Sequence, residues 1–375
     1  MDTNAQTTGK LGVNDLATDS NADGTFLLSS TSWFEIQTYV HYASMLPDSL
    51  DSFKDLLGAG APGDMSDFTQ LISVFASMKE AANTFSTSTF KNSVSLASDI
   101  YNYAGKVPNL YGAISDLANQ FDNSQITMDD FKTKICAVVT ILKTAAETME
   151  TNAAKVSDAI GAFATEIATD KENLIGDDGN SGIYKTLNDK YNTENGAIAD
   201  LMQQIKDTTA ALQEANEAYA HDVVVAATSP TYAWIFPFGT IAAGVTAGIY
   251  GKKATDALDA AKGYTVQLTT LQNELAADLQ IATCLHISTE KIKSIEDAMA
   301  SALKDIQTIR GAWAAIKDDL VAIINTITNE LNTDDPTQGV EAFILGLGIG
   351  DAIAEWKALG AEADSYRKNA YITVN

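Results

Sequence analysis

Positive charge is scarce in this chain. Lys and Arg total 24 against 49 Asp and Glu in 375 residues, a formal charge of −25 at pH 7. That balance excludes a nucleic-acid binder, because no basic stripe exists to release phosphate counterions. It also excludes electrostatic capture by anionic lipid, so any membrane contact must be hydrophobic or led by a receptor. Cysteine is nearly absent. Cys136 and Cys284 allow at most one bridge, which rules out a disulfide scaffold; both read most simply as buried free thiols. Histidine is equally sparse, with His41, His221 and His286. Cys284 and His286 lie two apart on an expected helix and point to different faces, which argues against zinc. No set of residues assembles a catalytic centre, a cofactor site or a metal site, and an enzyme is not expected. The opening residues carry Asp2 where a Sec-type signal peptide has basic residues, and no apolar run follows. A secreted protein with this opening is expected to leave by another route.

Proline is the next scarcity. Pro47, Pro62, Pro108, Pro230, Pro237 and Pro336 all read as breaks or fall in one uncharged stretch. None occurs from Asn109 to Ser229 or from Phe238 to Asp335. Runs of this length with little proline or glycine predict long helices, and 46% apolar against 8% aromatic composition suits helical packing. The periodicity agrees. Ile135, Val138, Leu142, Ala145, Met149, Val156, Ala159 and Phe163 follow three–four spacing, and Tyr191, Ile198, Ile205, Leu212 and Tyr219 recur every seventh residue. The clearest seam is Ile292, Ile295, Met299, Ala302, Ile306, Ile309, Trp313, Ile316, Leu320, Ile323 and Ile327, a coiled-coil-like pattern. A helix from Lys252 to Asn329 would be on the order of 100 Å long.

Other landmarks divide the chain. Residues 1–28 read as a mobile polar segment. Asp19, Asn21, Asp23 and Gly24 imitate the start of a calcium loop, but its twelfth position is Ser30 rather than Glu. Ser32-Trp33-Phe34-Glu35 predicts a capping box opening a helix that ends before Pro47. Shorter helical pieces are expected from about Ser66 to Pro108. Gly176–Gly182 is either a turn between antiparallel helices or a loop bulged from one helix. A last amphipathic helix is expected over about Gly339–Lys368. Within it Gly346-x-Gly348-x-Gly350 resembles a phosphate loop but lacks the preceding strand and the Lys-Ser/Thr.

One stretch departs from all this. Val223–Gly251 runs for 29 residues without a charge. Pro230 and Pro237 break it, so a single straight transmembrane helix is excluded. A hairpin turning near Pro237–Gly239 leaves arms of about a dozen residues, too short for unaided helices across a bilayer, which take roughly 20 residues each. Strand is favoured over Val223-Val224-Val225 and Thr231–Phe236, and Ile241–Ile249 is open. A membrane-inserting role is assigned to Val223, Val224, Val225, Tyr232, Trp234, Ile235, Phe236, Pro237, Phe238, Ile241, Gly244, Val245, Gly248, Ile249 and Tyr250. Gly244-x-x-x-Gly248 permits close helix approach, and Lys252 and Lys253 sit where interfacial anchors belong. Long helices leading into and out of this stretch define an all-α fold: an elongated antiparallel bundle with a hydrophobic head hairpin, the head being helical or a short β-tongue. The expected division is bundle over 29–222 and 252–375 and head over 223–251.

This layout resembles the ClyA-like α-pore-forming toxins, and in particular the haemolysin BL and non-haemolytic enterotoxin components and their Gram-negative tripartite relatives. The resemblance covers the chain from about Trp33. It is carried by the hairpin end Gly248-Ile249-Tyr250-Gly251-Lys252-Lys253, by Ala254, Ala257, Leu258 and Ala261, by Trp313 in its heptads, and by Ile353–Tyr366 with Trp356. It implies a soluble monomer that covers its apolar tip, then inserts it into a target-cell membrane while assembling in a ring with itself and with other toxin components. Two alternatives compete: a secretion-system translocator-like protein, and a structural helical scaffold using the hairpin as a docking interface.

Overall fold

The computed structural model describes residues 11–17, 31–44, 46–57, 61–177, 181–191, 277–331 and 336–369. Every regular element among them is helical. They are α1 (Thr31–Ser44), α2 (Leu50–Leu57), α3 (Thr69–Thr84), α4 (Phe90–Asp122), α5 (Met128–Ile175), α6 (Gly182–Tyr191), α7 (Ala277–Asn325), α8 (Pro336–Gly346) and α9 (Ile349–Asn369). One π turn, Phe85–Thr89, joins α3 to α4 and another, Thr326–Glu330, ends α7. The 49 residues of α7 correspond to about 70 Å of helix. The chain clusters into two compact units. The first takes residues 1–28, 92–158 and 304–368, the second 29–91, 159–303 and 369–375.

Local chemistry sets the helix ends. Ser49 and Ser52 cap α2 reciprocally, each backbone N–H donating to the other's hydroxyl. Thr127 and Asp130 cap α5 reciprocally as well, Thr127 N–H donating to the Asp130 carboxylate and Asp130 N–H to the Thr127 hydroxyl, and Asp129 and Asp130 place negative charge on its first turn. Between α4 and α5 the chain turns through Ser124 at φ +56, with Gln125 N–H donating to Gln120 O and Ser124 N–H to Phe121 O. This is the paired-bond helix stop usually built on glycine. A serine there hides the turn from the sequence pattern, which marked no helix boundary between Asn109 and Gly176.

Two further expectations are corrected. Pro108 lies inside α4, not at a break. A mid-helix proline costs about 3 kcal/mol, and the helix continues because Ala104, Val107, Tyr111 and Ile114 bury one face on both sides of it. The last helix is likewise two, α8 and α9, separated at Leu347-Gly348, where Gly348 takes φ +60. The Gly346–Gly350 pattern serves this turn. The calcium-like run at 19–24 lies outside the described residues, and Ser32 and Glu35 lie there as side chains. Within the expected tail, residues 11–17 form a short turn with Leu11, Val13 and Leu16 buried.

The seams dictate the packing. On α7 every side chain of the expected seam from Ile295 to Ile327 is buried. On α5 the buried line is Phe131, Ile135, Val139, Leu142, Ala146, Met149, Ala153, Val156, Ile160, Phe163 and Ile167. Val139, Ala146 and Ile160 therefore replace the expected Val138, Ala145 and Ala159. Each displaced residue has an apolar neighbour one position on, and the unbroken three–four register selects between them. In the first unit the pairings fix direction. Phe121 meets Phe131 at 5.4 Å while Asn152 donates to Asp99 at 3.2 Å, so α4 and α5 are antiparallel. Cys136 lies 4.0 Å from Thr328 while Lys317 bonds Glu150 at 3.0 Å, so α5 and α7 are antiparallel there. Ser93 near Tyr366 and Tyr103 stacked on Trp356 make α4 and α9 antiparallel. The result is a four-helix antiparallel bundle within that unit. Cys136 is a free thiol and half-buried rather than buried.

At its centre Tyr103, Trp313 and Trp356 lie 4.7–5.7 Å apart between ring centroids. Leu11 is tied to them from outside the helices: its carbonyl accepts from the Tyr111 hydroxyl at 2.7 Å and from Trp356 Nε1 at 3.1 Å. Val13 N–H donates to Glu355 Oε2 at 3.2 Å. Trp313→Ala is expected to lower stability by about 3–5 kcal/mol. Leu345→Ser, at a side chain 84% exposed, should change it by less than about 0.5 kcal/mol. Urea denaturation followed by circular dichroism compares the two.

Candidate functional site: the roots of the uncharged segment

The residues assigned to insertion, from Val223 to Tyr250, and the anchors Lys252 and Lys253 lie outside the described residues. So do Ile198, Ile205, Leu212 and Tyr219, and the side chains of Tyr191, Cys284, Ile292 and the three histidines. The second unit holds the described elements that flank this segment in sequence, α6 before it and the first part of α7 after it.

The short α6 is held firmly. The chain leaves α5 through Gly176 at φ +74 and enters α6 through Gly182 at φ +75. Ser181 N–H donates to Ile175 O at 2.9 Å, and Gly176 N–H donates to Glu172 O at 2.8 Å. A Cβ on Gly182 would stand 2.9 Å from Asn173 O, Ile175 N and Gly176 N. Glycine is required here both for its backbone angle and for this close approach. The sequence alternatives for Gly176–Gly182 thus resolve to a break between two helices. Tyr184 and Leu187 then bury against the unit, and Lys190 pairs with Asp67.

Beneath α6 lies an aromatic core with one acid in it. Phe85 and Phe163 rings are 4.6 Å apart, Tyr39 and Phe163 6.3 Å. Phe85 and Ser77 of the α3 run meet Phe163 and Asp170 of α5, so these helices are antiparallel. Asp170 continues the α5 seam after Ile167 and before Leu174, and it is 4% exposed. Ser77 bonds its carboxyl, but Oδ2 has no hydrogen-bond partner. Burial pushes this carboxyl up to about 6 against the Ser77 bond, with Glu166 adding repulsion. Burial also raises the Tyr39 hydroxyl, and the charge of Asp170 and then Tyr184 raise it further. An acidic seam residue gives no periodic apolar signal, so sequence reading passed over Asp170; its position in the three–four register was the available clue.

Among the described residues no cluster of three or more His, Cys, Asp or Glu is placed to hold a metal, and no helix is long and apolar enough to cross a membrane. Replacing Gly182 with Ala is expected to cost about 1–3 kcal/mol through strain at a positive φ. Gly161→Ala, in open space inside α5, should instead add about 0.5–1 kcal/mol. Chemical denaturation of the two variants provides the check.

No profile of a known protein family matches the chain. The pesticidal crystal protein Cry6Ba of Bacillus thuringiensis is 23% identical over 374 residues, spanning 92% of this chain and 89% of Cry6Ba. Among solved structures, the HblL1 toxin component of Bacillus cereus superposes with a TM-score of 0.65 at 14% identity, covering 98% of this chain and all of that one. Soluble SmhA, from the tripartite α-pore-forming toxin Smh of Serratia marcescens, gives 0.59 at 15% identity over 97% and 96% of the two chains. The fold is therefore the helical-bundle fold of HblL1 and SmhA.

Proposed function

We propose that this chain is one component of a multi-part pore-forming cytolysin, secreted as a soluble monomer and converted to a membrane-inserted oligomer. One combination carries the proposal: a chain with the fold of HblL1 and SmhA over nearly its whole length holds 29 uncharged residues between α6 and α7. Those relatives are by name a toxin component and a member of a tripartite pore-forming toxin, and Cry6Ba is by name pesticidal. The partners supported by this reading are the target-cell lipid membrane, further copies of the chain and companion components.

The physical logic is a change of covering. Apolar surface left in water costs about 25 cal/mol per Å², so Val223–Gly251 must be covered by protein before release and by lipid or a neighbouring protomer afterwards. In this proposal residues 223–251 are the head, 29–222 and 252–375 are the bundle, and Lys252 and Lys253 stop the head at the headgroup level. Because each arm of the head is short, adjoining helix must complete the crossing. No bond is made or broken, and no residue is assigned a catalytic or cofactor-binding role.

A charge in the head gives the test. Ile241→Asp or Val245→Asp is expected to abolish dye leakage from liposomes and red-cell lysis, measured with the companion components present, while far-ultraviolet circular dichroism stays unchanged. Lysis at wild-type rate by either variant would remove the head from the mechanism.

A further inference from the structure

The second unit carries a buried acid that the proposed insertion does not use. Asp170 occupies a core position of the α5 seam, is 4% exposed, and leaves Oδ2 without a partner. The described titratable and charged groups that act on it or feel its charge come from two elements. Tyr39 belongs to α1, and Glu166 precedes Asp170 by one turn on α5 itself; Tyr184 of α6 acts on Tyr39. Ser77 of α3 supplies the one neutral hydrogen bond. Lys171, next in the sequence, is half-buried and turned about 100° round the helix from Asp170.

We infer that Asp170 is a proton-operated lock on this unit. When protonated it packs as a neutral seam residue between Ile167 and Leu174, and when ionised it drives apart the α1 and α3 elements that meet α5 there. An ionised carboxylate at this depth has one hydrogen bond, from Ser77, and faces the Tyr39 phenol and the like charge of Glu166. It meets its cost of desolvation only by opening the packing to water. The neutral acid has no such demand.

The direction with pH follows. The folded group holds its proton up to about 6, above its ordinary value of 3.8. Between those values the folded state binds more protons than the unfolded one, so stability falls as pH rises. The contribution is fully present below about pH 4 and lost as pH rises through about 6. The lock is closed in mild acid and open at neutral and alkaline pH. The same unit holds α6 and the start of α7, which flank the uncharged segment in sequence. Opening it would therefore favour release of that segment, a step that rests on the insertion proposed above.

Asp170→Asn separates these ideas, because the amide keeps the shape and cannot ionise. Other carboxylates also make stability depend on pH, Asp48, Asp64, Asp130 and Asp364 in the opposite sense because their pKa values are lowered, so the readout is the difference between the two proteins. Thermal melts at intervals from pH 4 to pH 7.5 should show the wild-type Tm falling more steeply than that of Asp170→Asn. By pH 7.5 the excess fall should be on the order of 5 °C. Glu166→Gln, which keeps the acid but removes its like-charged neighbour, should shift the wild-type transition to lower pH. Parallel Tm profiles for wild type and Asp170→Asn would overturn the lock.

Liposome leakage with the companion components supplies the second arm. Wild type should leak several-fold faster at pH 7.5 than at pH 5, and Asp170→Asn should be slow at both. If the melts differ as expected but the leakage rates match, the lock stands and its link to release is overturned. If wild type leaks at no pH, the insertion proposal fails while the melts still decide the lock.

Discussion

The unbroken three–four line of apolar side chains along α5, and the matching line along α7, is the constraint to which the other elements answer. A helix with such a line must have it covered, and the cover must be another helix with a line of its own. In the first unit this requirement sets α4, α5, α7 and α9 antiparallel around Tyr103, Trp313 and Trp356. In the second it brings α1 and the α3 run onto α5 around Phe163. Capping serines, threonines and glycines decide where helices stop, but they do not decide what the helices bury.

Much of this was legible in the sequence. Trp313 and the isoleucines from Ile295 to Ile327 announce a helix face because their spacing admits no other reading. Trp356 was equally plain as a helix residue, but the break at Leu347-Gly348 before it was not. Where apolar residues stood side by side, as at Val138-Val139 and Ala159-Ile160, composition could not choose between them. Only the register of the completed seam could. Ser124 stops a helix in the backbone geometry that glycine usually marks. Pro108 sits inside a helix because burial on both flanks outweighs its local cost. Leu11, Val13 and Leu16 are three apolar residues in a polar tail, and their burial depends on a partner surface assembled from α4 and α9, where Tyr111 and Trp356 lie 100 and 345 residues along the chain from Leu11.

The candidate site was legible in a different sense. The absence of charge over Val223–Gly251 is a property of composition and needs no fold to be seen. The elements that flank it in sequence had to come from the structure. Gly176 and Gly182 fix the entry to α6 by backbone geometry, and Asp170 is buried in the core by virtue of seam register. Neither follows from the hydrophobic pattern, because one concerns residues without side chains and the other a polar residue in an apolar position.

The attachment of the N-terminal turn has a consequence for how it can be found by genetics. Tyr111 and Trp356 both donate to the carbonyl oxygen of Leu11, and Val13 contributes its amide rather than its side chain. The acceptor and this donor belong to the main chain, where every amino acid except proline offers the same atoms. Alanine at residue 11 or 13 would register lost apolar burial but leave the three hydrogen bonds intact. At Gly12 a Cβ would stand 2.8 Å from Glu355 Oε2, the acceptor of the Val13 amide. The clip is therefore visible to mutation from Tyr111, Trp356 and Glu355 on one side and from Gly12 on the other, while residues 11 and 13 answer only to their apolar burial.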